Sequence, residues 1–324
     1  MVEWGERSPG AFTLFSAGGG PGAACGGGST RKRKGAPVVG TGREPGGADT
    51  AGRGRILCGT CAWADHQNFY PPGLKPTERL AFYARHFPVV EVDSTFYHPQ
   101  PARNFQLWAG RTPAGFVFDV KAYRAMTRHD RQPRPGDEDV TEVFARFRES
   151  LRPLEQSGKL RAVLFQFPPW FTCTPENRGY LEWVRETYDT LLLAVEFRHR
   201  SWWQAAQRQK TLDFLRSNAL VNVICDEPQV GLGTVPAVVE VTNPRLAVVR
   251  FHGRNAATWY KKGLANSGER FNYLYSRQEL QPWAEAALRL AAEAQEVHLL
   301  MNNNFGDYAV RNARDLLEVL QELR

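Results

Sequence analysis

The chain has 324 residues, 42% hydrophobic and 12% aromatic, with a formal net charge of +7. Length and apolar content exclude a small disulfide-built scaffold and a wholly disordered chain. No stretch approaches the roughly 20 apolar residues of a membrane span, and cysteines at 25, 58, 61, 173 and 225 suit reduced thiols better than a disulfide framework. The expectation is a cytoplasmic protein with no membrane contact.

Residues 1–54 hold 16 of the 29 glycines, with long apolar side chains only singly scattered. Such a segment cannot bury enough surface to offset the entropy of ordering it, so it is expected to be a disordered tail. Glu3 and Glu6 and the lack of an apolar core segment argue against a secretory signal. Val38 or Val39 is a candidate later start. The tail carries seven Lys/Arg and four Asp/Glu, +3 of the +7, which leaves +4 on residues 55–324. That excess favours anionic ligands only weakly. The run Arg31 to Lys34 reads as a solvated patch before it reads as a nucleic-acid arm.

From residue 55 onward short apolar runs alternate with amphipathic stretches. Strands are predicted at 55–61, 89–94, 116–121, 162–167, 192–198, 221–226, 246–252 and 297–302. Helices are predicted at 77–86, 102–109, 140–151, 176–191, 203–217, 276–294 and 309–323. Residues 227–245 offer proline-bearing turns and no helix. Alternating βα units imply a parallel sheet. Eight of them over about 250 residues imply an α/β fold, a single (β/α)8 barrel spanning 55–324.

Side chains alternate between the two faces of a strand. Val90 and Val92 oppose Glu91 and Asp93; Phe118 and Val120 oppose Asp119 and Lys121. Val195 and Phe197 oppose Glu196 and Arg198; Val249 and Phe251 oppose Arg250 and His252. The apolar set should face helices and the polar set the barrel interior. Gln166, Asp226 and Asn302 add polar groups near strand ends, at the rim where barrel enzymes place their active sites. Glu91, Asp93, Glu196 and Asp226 could act as acid and base or bind a divalent ion. They could also be buried partners of Lys121, Arg198 and Arg250, although pairing accounts for one such residue more readily than for the whole ring.

The segment Arg250 to Asn255 brings His252 for proton transfer or metal ligation. Arg254 adds a fork suited to phosphate or carboxylate, and Asn255 follows. Glu196 to Trp203 is comparable, with His199 at the rim and Trp202 beside it. Asn302 and Asn303 suit hydroxyl-rich ligands, or turn chemistry. Cys58-Gly59-Thr60-Cys61 has a metal or redox spacing, but residues three apart on a strand face opposite ways, so core packing is expected. No paired-histidine zinc motif, phosphate loop or nucleophile elbow occurs.

Several blocks together resemble one family across 55–324. They are Gly59 to Trp63, Phe69-Tyr70-Pro71, Val90 to Tyr97, Thr127-Arg128-His129, Gln166 to Pro169, Glu196 to His199, Arg250 to Asn255 and Asn302 to Asn304. The chain is thereby similar to the "domain of unknown function 72" family, also called YecE-like. The resemblance implies a barrel and no established reaction. Cys61 and Ala62 stand where the family usually has serine and glycine, which sets aside a hydroxyl role at 61.

The leading expectation is a hydrolase of a phosphoester or phosphodiester, nucleic acid being one candidate substrate. Glu91, Asp93, Glu196 and Asp226 would serve as base or divalent-ion ligands, His252 would transfer a proton, and Arg198, Arg250 and Arg254 would hold the phosphate. Lys121, Gln166, His199, Trp202, Asn255, Asn302 and Asn303 would complete the substrate site. The alternatives are a metal-independent carbohydrate enzyme with tryptophan platforms and a non-catalytic binder of an anionic metabolite.

Overall fold

The computed structural model describes residues 54–130, 139–264 and 266–324. The strands are β1 (Arg55–Cys61), β2 (Val89–Val92), β3 (Val117–Lys121), β4 (Leu160–Gln166), β5 (Leu193–Glu196), β6 (Val221–Asp226), β7 (Ala247–Phe251) and β8 (Glu296–Met301). Every neighbouring pair is parallel, and β8 returns to β1 to close the barrel. The α-helices among the described residues are α1 (Arg79–Tyr83), α2 (Ala102–Gly110), α3 (Val140–Gln156), α4 (Pro175–Thr187), α5 (Ala205–Ser217), α6 (Arg277–Glu293) and α7 (Tyr308–Glu322). This is the (β/α)8 barrel expected from the alternation. The tail assignment falls outside the described residues except at Gly54. That residue belongs to the fold, because its N–H donates to Ala291 O at 2.6 Å.

Local chemistry sets the element ends. The first turn of α6 is closed by a capping box: Ser276 Oγ accepts from Glu279 N, and Glu279 Oε2 accepts from Ser276 N. Thr174 caps α4 ahead of Pro175, whose missing N–H costs nothing at a first helical position. The helix expected at 77–86 shortens to α1 behind a 3-10 turn at Pro76–Glu78. β2 stops at Val92 rather than Ser94 because a 3-10 turn over Ser94–Phe96 follows. That turn lets Thr95 Oγ1 donate to Val92 O at 2.9 Å and Lys121 O at 2.6 Å, tying β2 to β3.

No helix joins β6 to β7. Pro228, Pro236 and Pro244 interrupt the segment, which lies as a strap bound by side chains instead. Thr242 Oγ1 accepts from Asn222 N and donates to Leu220 O, both at 2.7 Å, and Asn222 Nδ2 donates to Val238 O at 3.0 Å. Val235 and Val238 are buried beneath it.

The apolar core lies between strands and helices. Phe251 meets Trp283 of α6 at 5.3 Å between ring centres, and Phe165 stacks on Phe144 of α3. Burying each such ring contributes about 1.5–3 kcal/mol. The barrel interior is unusual in carrying charge where aliphatic layers are the norm. In its N-terminal half Arg161 Nε donates to Glu296 Oε1 at 2.7 Å. The same carboxylate lies 2.8 Å from His298 Nε2, and His298 Nδ1 lies 2.6 Å from Asp119. Burial alone would lower the His298 pKa, but Asp119 and Glu296 overcome it and raise it to about 9, so the ring is an imidazolium.

Candidate functional site at the C-terminal mouth

The polar alternation of the strands delivers its side chains to one place. Arg250, inward from β7 and 1% exposed, is the hub. Its Nε and Nη2 grip Glu91 of β2 at 2.8 and 2.7 Å, and its Nη1 donates to Glu196 of β5 at 2.5 Å. Gln166 Oε1 of β4 lies 3.4 Å from the same Nη1. Cys61 Sγ of β1 sits 3.5 Å from both Glu91 and Arg250. Arg198 stands over this layer, 3.5 Å from Glu196 Oε1 and ion-paired to Glu227. Removing one member of such a buried set leaves an uncompensated charge, at about 3–5 kcal/mol.

The electrostatics divide these groups by role. Burial would raise Glu196, but Arg250 and its neighbours hold it well below the ordinary carboxylate range. Burial, then Arg198, push His252 down to about 3, so its ring is neutral. Asn302 Nδ2 lies 2.9 Å from His252 Nδ1, and His252 Nε2 lies 3.4 Å from Glu196 Oε1. Glu227 is raised to about 7 by burial despite Arg198, and its Oε1 accepts from Val235 N at 2.7 Å. Burial and then the negative charge of Asp65 lift Asp93 to about 6. Asp93 is half-buried at the open end and, among the described residues, makes no ion pair. Lys121, half-buried with Nζ 4.6 Å from the Phe96 ring centre, is lowered by burial and then by Arg250.

Glu91, Asp93, Lys121, Glu196, Arg198, Arg250 and His252 thus share the mouth, as their strand parity implied, together with Gln166 and Asn302. Others do not. Asp226 is in register with Phe251, so it faces the helix layer; there it lies 3.1 Å from Arg254 Nε, and burial raises it against that pairing. Its neighbour Cys225 takes the inward position. Trp202 is wholly buried, stacked on Phe197 at 4.0 Å with its N–H on Phe171 O. It leaves no surface for a ligand, because the turn after β5 folds it under the rim. Asn303 is likewise buried, donating to Tyr273 O and Asn312 Oδ1. His199 Nδ1 accepts from Ser201 N and meets its hydroxyl, and Asn255 Nδ2 donates to Asn272 O. Arg254 also reaches Glu279, the capping residue of α6, which accepts from Tyr273 Oη as well. These three residues order the rim loops.

Sequence reasoning missed Glu227 and Cys225. Glu227 lies one residue past the expected strand, where parity is no longer assured. The inward position of Cys225 was readable from its alternation with Ile224, and only its small apolar-looking side chain hid it. The 58–61 spacing behaves as expected: Cys58 Sγ points at Ala313 O of α7, while Cys61 points inward. Cys61 packs in the apolar core and also borders the charged layer. A cavity of about 580 Å³ opens beside this face, lined by Cys225, Asp226, Glu227, Pro236 and Arg254.

Fold and site together define a parallel eight-stranded barrel whose C-terminal mouth is built from arginine-clamped carboxylates. The chain belongs to the family described as "Protein of unknown function DUF72", which matches residues 57–324. It is 43% identical over 267 residues to the UPF0759 protein YunF of Bacillus subtilis, covering 82% of this chain and 94% of that protein. Crystal structures of DUF72 family proteins resemble it as a whole. One from Enterococcus faecalis is 35% identical with a TM-score of 0.76, covering 82% of this chain and 95% of that one. One from Thermotoga maritima is 32% identical with a TM-score of 0.72, covering 82% and 99%. No helix among the described residues is long and apolar enough to cross a membrane.

Proposed function

We propose that the mouth binds a phosphate-bearing substrate and hydrolyses its ester bond, with Asp93 as the base that activates water. The carrying observation is that Arg250 and Arg198 engage Glu91, Glu196 and Glu227, whereas Asp93 is half-buried, unclamped and raised to about 6. A base with that pKa is ionised at neutral pH yet still accepts a proton readily. Lys121 and Arg198, at the same opening, would hold the phosphoryl oxygens and offset the charge that develops on them. Water would attack phosphorus, its proton passing to Asp93, and the ester oxygen would depart and take a proton from solvent.

Glycosidic cleavage fits less well. It needs two carboxyl groups flanking the bond, and the arginines occupy most of those present. The tryptophans expected as sugar platforms include Trp202, Trp203 and Trp259, all buried. A panel of chromogenic phosphomonoesters and phosphodiesters tests the proposal. Wild-type protein should turn over at least one, with a rate that rises as pH passes about 6 and Asp93 loses its proton. Asp93→Asn should lose about 100-fold or more in kcat, and an Asp93→Asn protein as fast as wild type would refute the role.

A further inference from the structure

We propose that Glu196, Cys225 and His252 form a binding site for a divalent transition-metal ion of the zinc class. The three side chains come from or just beyond the adjacent strands β5, β6 and β7, all turned inward and all fully buried. One donor atom from each lies within 4.8 Å of the other two. Glu196 Oε1 and His252 Nε2 are 3.4 Å apart. A tetrahedral zinc site with metal–ligand bonds near 2.0–2.3 Å needs ligand atoms roughly 3.3–3.8 Å apart. Two of the three are already at that spacing, and Cys225 Sγ would close on them from within 4.8 Å.

A second observation points to a missing occupant. Glu196 Oε1 and His252 Nε2 are buried and 3.4 Å apart, yet neither finds a hydrogen-bond partner of normal geometry. Buried polar atoms in native proteins are nearly always satisfied, and a bound ion is one of the few explanations for a pair that is not. Among the described residues, Arg198 is the one arginine or lysine within ion-pair distance of Glu196 Oε1, at 3.5 Å, and it is also paired to Glu227. Arg250 is shared between Glu91 and the other oxygen of Glu196, Oε2, at 2.7 and 2.5 Å. Three carboxylates, Glu91, Glu196 and Glu227, face these two guanidiniums.

The donor set selects the metal. Carboxylate oxygen, thiolate sulfur and imidazole nitrogen suit zinc or cobalt, whereas magnesium and calcium take oxygen. A carboxylate and a thiolate carry two negative charges against the two positive charges of the ion. Binding expels the Cys225 thiol proton to solvent. It also asks the Asn302 amide to turn over, so that its oxygen accepts from His252 Nδ1–H and Nε2 is free for the metal. Three protein ligands leave a fourth position for water or substrate. These ligands keep Glu196 and His252 of the groups the sequence suggested but not Glu91 or Asp226, since Arg250 grips both oxygens of Glu91 but only Oε2 of Glu196, and Asp226 faces the helices. The site does not depend on the phosphoester proposal, and its test needs no substrate.

Full-length protein is stripped with a chelator, checked for fold by circular dichroism, and titrated with cobalt(II). One equivalent should bring up a thiolate-to-cobalt charge-transfer band in the near ultraviolet and tetrahedral d–d bands in the visible. Cys225→Ser, nearly isosteric, should lose the charge-transfer band, while Cys61→Ser, altering the other inward thiol, should keep it. His252→Gln should weaken cobalt binding by about tenfold or more. Folded wild-type protein that gives no such band with excess cobalt, or a band that survives Cys225→Ser, would overturn the proposal.

Discussion

Arg250 holds two carboxylates from opposite sides of the barrel with three of its N–H groups. Its planar fork meets Glu91 in a bidentate pair that a lysine could not reproduce. Much of the charge at this mouth is therefore structural. His298 has the same character one layer down, as a buried imidazolium between Asp119 and Glu296. A basic group whose folded pKa is raised from 6.5 to about 9 adds stability that is fully present below pH 6.5 and lost as pH rises through about 9. The unfolding free energy from urea titrations should accordingly fall between about pH 6.5 and about pH 9, by roughly 3 kcal/mol in all. In His298→Gln, which keeps hydrogen bonding without the charge, that alkaline loss should vanish. An unchanged alkaline limb in the variant would assign the pH dependence to other groups.

Among the elements, β1 shows why a short sequence pattern demands glycine. A Cβ added to Gly59 would lie 2.1 Å from Val89 O, a backbone atom of the paired strand that cannot swing away. Gly59→Ala should therefore force β1 and β2 apart and lower the thermal midpoint or abolish soluble expression. A midpoint equal to wild type would show that the strands part at no cost. The strap after β6 shows what can replace a helix, since Asn222 and Thr242 satisfy each other and the neighbouring backbone. The alternation of strand and helix was legible because both periodicities are strong, and so was the lack of a helix between β6 and β7, because prolines break the pattern. Strand ends were less legible. Ser94 and Arg198 fit the strand pattern, yet 3-10 turns that pin neighbouring strands begin there or just beyond. The inward ring around Glu91, Glu196 and Arg250 followed from parity alone. Asp226 was misplaced because its charge drew attention from Cys225, whose parity is the inward one, and the buried fate of Trp202 depended on a turn that no local pattern fixes.

Over the whole molecule, the closed barrel brings every strand's C-terminal end to one rim, so groups far apart in sequence meet there, as Glu91 and Arg250 do. Most of these groups hold the barrel together, and a few remain free to act on a ligand. Asp93 and Glu196 represent the two kinds. At neutral pH the Asp93 carboxyl, raised to about 6, is ionised in surroundings that disfavour its charge, so neutralising it removes a penalty. Glu196 is held charged by arginine, so neutralising it strands a cation, at about 3–5 kcal/mol. Thermal unfolding of Asp93→Asn beside Glu196→Gln at neutral pH tests that division of labour most directly. Asp93→Asn should melt at or above the wild-type midpoint, and Glu196→Gln roughly 10 °C below it. The reverse order, with Asp93→Asn the damaged protein and Glu196→Gln intact, would contradict it.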